Sequence, residues 1–195
     1  MNKKHRTQAA PTGAGAIGRR ASDSILVPIQ NGHGSVSLGE DNGKQGEVRL
    51  YDLLAFPGVF HVLAFTGNQW QSNPEAATEL AGEMEQRLGK WRSRWPSNKG
   101  DNHHVAVQRP LIMMHSLTTV ATETRGNALG LEGAGEGKAY VDLEGLLHSR
   151  YGVEVVGGEG ALFVVRPDTH VAFRVQGVGA GAWNDVEEYL QSILV

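Results

Sequence analysis

The chain has 195 residues, 40% of them hydrophobic, which suits one domain with a single sizeable core. It holds no cysteine, so disulfides, thiolate metal sites and thiol catalysis are excluded. The formal net charge is −3, and setting aside Lys3, Lys4, Arg6, Arg19 and Arg20 leaves 13 cations against 21 acids, an acidic body that argues against nucleic acid as a partner. No run approaches the roughly 18 apolar residues that span a membrane.

Residues 1–23 are rich in Gly, Ala, Pro and Arg and read as a flexible basic tail ahead of a domain over 24–195. The tail has no apolar stretch of the secretory kind, and Gly and Pro interrupt any amphipathic, presequence-like helix. A cytoplasmic location is the expectation. Ser24–Gln30 is a short apolar run whose Pro28 suits an edge strand or a strand end. Asn31–Gly34 and Glu40–Gly46 form turn clusters, and Val48–Leu54 leads into Phe60–Phe65, a continuous apolar run of the kind buried on both faces of a sheet.

A helix is expected from Pro74, with Ser72 or Asn73 as N-cap, Glu75 at its positive end and Pro96 as its stop. Ala77, Leu80, Ala81, Met84 and Leu88 mark its buried stripe. Val105–Met114 reads as a strand interrupted at Arg109-Pro110, Thr124–Lys138 as a Gly-rich mobile stretch, and Lys138–Asp142 as a further strand. Leu143, Leu146, Leu147 and Tyr151 lie on one helical face, with Asp142 as N-cap and Gly152 as C-cap. Ala161–Arg174 reads as two strands joined through Pro167-Asp168, where Pro fixes φ and Asp bonds the local backbone. A helix over Trp183–Leu194 closes the chain. Strands alternating with helices require crossovers, so the fold class is an α/β sandwich: a central mixed sheet, helices on both faces and a terminal hairpin plus helix. A strand, a Pro-Asp turn, a strand and a last helix are how thioredoxin-like domains finish.

Candidate chemistry yields mostly to plainer readings. Gly13-Ala-Gly-Ala-Ile-Gly18 matches G-x-G-x-x-G, but polar residues precede it and Arg19-Arg20 follows, so no βαβ unit encloses it. His103 and His104 point to opposite faces of a strand, and with His115 they make a poor metal site. The loop Thr66–Asn73 stands where a thioredoxin carries its thiols, yet it offers only hydroxyls, amides and the Trp70 indole. Ser72 there lacks a base, because His61 lies at the other end of the strand. Asp142, Glu144 and Glu154 are conceivable paired acids, but helix capping explains Asp142 better. Trp70, Trp91 and Trp95 cluster around the long helix, either as interface anchors or as seals on the core edge.

Gly18-Arg-Arg-Ala-Ser-Asp23, Val48–Leu54, Phe60–Gly67, Ala139–Asp142, His148–Gly152, Leu162–Asp168 and the ending Ile193-Leu-Val195 occur in an order and spacing that resemble the C-terminal domain of the FAD-dependent phenol 2-monooxygenases. The resemblance covers about residues 18–195. It implies a thioredoxin-like fold used for dimerisation rather than redox chemistry, with a second copy or a flavoprotein hydroxylase as partner. It also implies FAD in the full-length family but no cofactor, catalytic residue or metal ligand on this chain, because the flavin and substrate regions have no counterpart here. The other reading is the C-terminal part of a complete flavoprotein aromatic monooxygenase.

Overall fold

The computed structural model describes residues 15–28, 47–68, 74–96, 111–119 and 137–194. Seven strands form one mixed sheet: β1 (Ile25–Pro28), β2 (Val48–Arg49), β3 (Phe60–Gly67), β4 (Ile112–Thr118), β5 (Gly137–Val141), β6 (Ala161–Val165) and β7 (Val171–Gln176), in the order β2-β1-β5-β4-β3-β6-β7. The helices are α1 (Leu50–Leu54), α2 (Pro74–Arg94), α3 (Leu146–Arg150) and α4 (Ala180–Ile193). β3, β4 and β5 run parallel, as crossovers require, and all other pairings are antiparallel.

Alternation along β3 assigns the two cores. Val62 and Ala64 face α2 and α4, joining Leu80, Met84, Leu88, Trp91, Trp183, Val186 and Leu190. Leu63 and Phe65 face the other layer, with Leu50, Leu54, Leu147, Tyr151 and Phe163. Both faces of β3 are therefore covered, which is why its sequence is a continuous apolar run.

The elements depart from expectation at four places. Val48–Leu54 divides into a two-residue strand and α1, because Leu50 and Leu54 bury together at helical spacing and the Asp23 carboxylate accepts the Tyr51 N–H at 3.1 Å. The described strand β4 runs Ile112–Thr118, past the expected end at Met114. α3 starts at Leu146, since Gly145 takes φ +64 and ends a turn closed by its N–H on Asp142 O. Leu143 and Leu146 are consequently exposed, while Leu147 and Tyr151 are buried. The last helix starts three residues earlier than expected, at Ala180.

Residues 15–23 are no free tail. Gly18 N–H donates to Val171 O (2.7 Å), Val171 N–H to Arg19 O (2.9 Å) and Ala21 N–H to Thr169 O (2.7 Å), and Ala21 is buried. Residues 1–14, both turn clusters, Trp70, Ser72, Asn73, His103, His104, residues 105–110 and residues 124–136 lie outside the described residues.

Gly152 ends α3 as expected: at φ +65, its N–H donates to Ser149 O and the Val153 N–H to His148 O, a Schellman pair. In the β6–β7 hairpin, Arg166 N–H donates to His170 O and Thr169 N–H to Arg166 O, while Asp168 Oδ1 accepts from His170 N–H at 3.2 Å. Pro167-Asp168 therefore sets the turn through local backbone bonding. Thr169 takes φ +66, a left-handed position that a β-branched residue rarely occupies.

Candidate functional site

In an open α/β sheet, ligand chemistry gathers at the C-terminal ends of the parallel strands. Here those ends are Gly67 on β3, Thr118 on β4 and Asp142 just past β5. Gly67 has φ +58, and a Cβ there would stand 2.8 Å from Val155 O, so only glycine fits this close approach. Gly67 O accepts from Thr118 Oγ1 (2.8 Å) and from Thr119 N–H (3.2 Å), and Asp142 N–H donates to Thr118 O (2.7 Å).

A buried pair lies beneath these ends. Asp142 Oδ2 accepts from the backbone N–H of His148 (2.9 Å) and contacts its Nδ1 at 2.9 Å. The Gly67 N–H donates to His148 Nε2 (3.3 Å). Because Nε2 accepts, the proton of the neutral ring sits on Nδ1 and is donated to Asp142. Both side chains are buried, so neither nitrogen is left to meet a substrate. Two strand-end hydroxyls are spent in the same way: Thr66 Oγ1 donates to Leu117 O and Thr118 Oγ1 to Gly67 O. The arrangement locks three strand ends and a helix start together.

Asp142 is not the N-cap of α3, a position Gly145 holds; its carboxylate instead accepts the His148 N–H of the first turn from three residues further back. It makes no acid pair, since Glu144 and Glu154 are exposed. The link to His148, which sequence reasoning missed, had a signal: an acid directly after a strand and a histidine in the next helical turn. His115 joins a second buried pair, its Nε2 3.0 Å from His61 Nδ1, with the rings stacked at 5.3 Å. Burial lowers the His61 pKa to about 4. Among the described residues no group of three or more His, Asp or Glu is placed to hold a metal ion.

Of the tryptophans, Trp91 is 1% exposed and packs between Trp95 and Trp183, so it seals the core and cannot be an exposed anchor on this chain. Its position follows Leu88 by three residues and continues the stripe of α2. Trp95 is half-buried, with its Nε1–H donated to Leu194 O (3.3 Å) and Arg94 over its ring. The side of α2 toward α4 carries an ion network: Glu187 accepts from Arg87 and Lys90, each at 2.7 Å.

The described part of the Gly13–Gly18 motif is turned toward protein. The Gly18 N–H that a pyrophosphate would need goes to Val171 O, and an extended segment rather than a helix follows it. A Cβ on Gly15 would meet Tyr151 O at 2.6 Å, so this backbone approaches protein and leaves no room for a ligand. No described helix is long and apolar enough to cross a membrane.

A mixed sheet with parallel β3–β4–β5, helices on both faces and a closing hairpin and helix defines a thioredoxin-like domain. Solved structures share that fold: the mitochondrial 2-Cys peroxiredoxin of Plasmodium falciparum (TM-score 0.58, 12% identity, 91% of this chain and 94% of that chain covered) and the thiol peroxidase of Chromobacterium violaceum (0.57, 12%, 90% and 86%). Mycobacterium tuberculosis AhpC is similar as well (0.55, 16%, 92% and 98%). Within this class, the chain belongs to the family of phenol hydroxylase C-terminal dimerisation domains, whose model matches residues 44–195. No curated protein matches the chain.

Proposed function

We propose that this chain is a pairing module without catalytic chemistry of its own, bringing two copies together as a homodimer. The observation that supports the non-catalytic part is His148: beside the C-terminal end of β3, it has both ring nitrogens committed, to Asp142 and to the Gly67 N–H. A general base needs a free nitrogen within reach of a proton to abstract. Membership of a dimerisation family supports the pairing. Burial of apolar surface between copies supplies the affinity, with the acidic faces left in water.

Sedimentation of the purified chain at micromolar concentration tests this reading. The expected species has twice the 21.0 kDa chain mass. A strict monomer that instead binds a flavoprotein hydroxylase would move the partner from a second copy to that enzyme, and a monomer that binds neither would overturn the reading.

A further inference from the structure

The family match begins at residue 44, yet the fold is not complete without residues well before it. β1 lies between β2 and β5, paired antiparallel to both: Ile25↔Arg49 and Leu26↔Val48 on one side, Val27↔Val141 and Pro28↔Tyr140 on the other. Upstream of β1 the chain is held again, at the tip of the last hairpin, where Arg20 bridges to His170. Between these anchors, Asp23 Oδ1 accepts the Tyr51 N–H (3.1 Å) and Oδ2 accepts from Arg49 (3.0 Å). Ser24 O accepts the Leu50 N–H (3.0 Å), and Ala21 O accepts from the Tyr51 hydroxyl (2.7 Å). The Arg150 guanidinium donates to Asp23 O.

We propose that Gly18–Pro28 acts as a donor strand in cis, a detachable extended segment seated in a groove that the rest of the fold presents to a peptide. The segment makes one strand addition at the hairpin and another between β2 and β5, and its main chain supplies most of the bonds. Three side chains give the specificity. Ala21, 1% exposed, and Leu26, 0% exposed, both fill core positions, and Asp23 answers the start of α1 and Arg49. The groove therefore takes a peptide with a small apolar residue, an acid two positions on and a bulky apolar residue three further. Between these positions Ile25 faces outward at 51% exposure while Ser22 and Ser24 are half-buried, and Arg19 and Arg20 ahead of them are exposed. A second, independent consequence is that the docked segment takes the main-chain groups of Val171 and so shortens the open edge of β7.

The test uses the full chain with a protease site inserted between Ile29 and Gly46, cleaved after folding. The N-terminal fragment is expected to stay bound through gel filtration and to exchange with a fluorescently labelled peptide of residues 15–28. The same peptide carrying Ala21→Asp and Leu26→Asp is expected to bind roughly 100-fold or more weakly, since it would bury two unpaired charges. Loss of the fragment with the melting curve of the remainder unchanged would overturn the proposal, because the groove would not need its strand. Retention without any exchange, or exchange that tracks unfolding of the remainder, would overturn it too, by making the segment a permanent part of the core. Equal binding of the doubly substituted peptide would remove the assigned specificity and sink the groove with it.

Discussion

Asp142 Oδ2 stands 2.9 Å from both the backbone nitrogen and Nδ1 of His148, so one oxygen satisfies two donors of the same residue inside the core. Through the other ring nitrogen, which accepts from Gly67, this oxygen ties the end of β3 to the start of α3. Removing it by Asp142→Ala orphans two buried donors, at about 1–3 kcal/mol each, so the expected loss is about 3 kcal/mol in denaturant unfolding. Asp142→Asn keeps an acceptor and is expected to lose only about 1 kcal/mol. Faster hydrogen exchange at the Gly67 amide in the alanine variant would trace the loss to this link. A fully stable alanine variant would refute it.

His61 makes the fold acid-sensitive. Burial lowers its pKa from 6.5 to about 4, so the unfolded chain takes up a proton near pH 6.5 and the folded chain only near 4. The unfolded state binds more protons across that window. Stability is therefore whole above pH 6.5, falls as pH drops toward 4, and loses about 3 kcal/mol in all from this group. His61→Phe is expected to flatten the slope of unfolding free energy between those pH values. An unaltered slope would assign the acid sensitivity to other groups.

Glu187 joins α4 to α2. Burial works to raise its carboxyl pKa, but hydrogen bonds from Lys90 and Arg87 outweigh that and hold it below the ordinary range. The stability it contributes is present at neutral pH and fades as acid protonates it. Glu187→Ala leaves the largely covered Arg87 facing only Glu83 and Asn184, and about 2 kcal/mol of stability should go with it. Thermal melting at pH 7 and again in acid checks this, and the difference between variant and parent should shrink in acid.

The parts legible in the sequence were those whose signals are local. Pro74, Glu75 and the Leu80–Met84–Leu88 spacing announce α2 within one segment, and Pro167-Asp168 announces the hairpin in two residues. Gly152 likewise marks the end of α3 without outside help. What was missed depends on partners far along the chain. The helix α1 is only five residues long and takes its cap from Asp23, on a different segment, so periodicity could not separate it from a strand. Residues 15–23 look like a tail by composition, because Gly and Ala carry no periodic signal, yet Gly18 and Ala21 bond through main-chain groups that any sequence possesses. The His61–His115 pair needs the parallel register of β3 on β4, which no single-segment pattern encodes.

Thr169 carries backbone strain at the hairpin tip. At φ +66 a β-branched residue costs on the order of 1 kcal/mol, which glycine would not incur. The hydroxyl recovers part of that by accepting from Arg20 Nε at 3.3 Å, a long and exposed bond. Thr169→Gly should therefore stabilise the chain slightly, by about 0.5 kcal/mol, seen as a rise in melting temperature. A fall would mean that the contact with Arg20 outweighs the strain, and Arg20→Ala in the parent would then reproduce it.

Trp91 and Trp95 sit one helical turn apart and should respond oppositely to two measurements. Trp91 is enclosed by Trp95, Trp183 and the strand residues of its core, so Trp91→Ala opens a cavity and should cost about 3–5 kcal/mol of folding stability. Trp91→Phe keeps most of the packing, and its folded form should associate as tightly as the parent in sedimentation, because a side chain with 1% exposure offers a partner nothing to touch. Trp95 keeps part of its ring in solvent, so Trp95→Ala should cost less in folding, about 1–2 kcal/mol. If Trp91→Phe weakens association while its melting curve stays that of the parent, the core around α2 must open when two copies meet, and the assignment of Trp91 to the core alone fails.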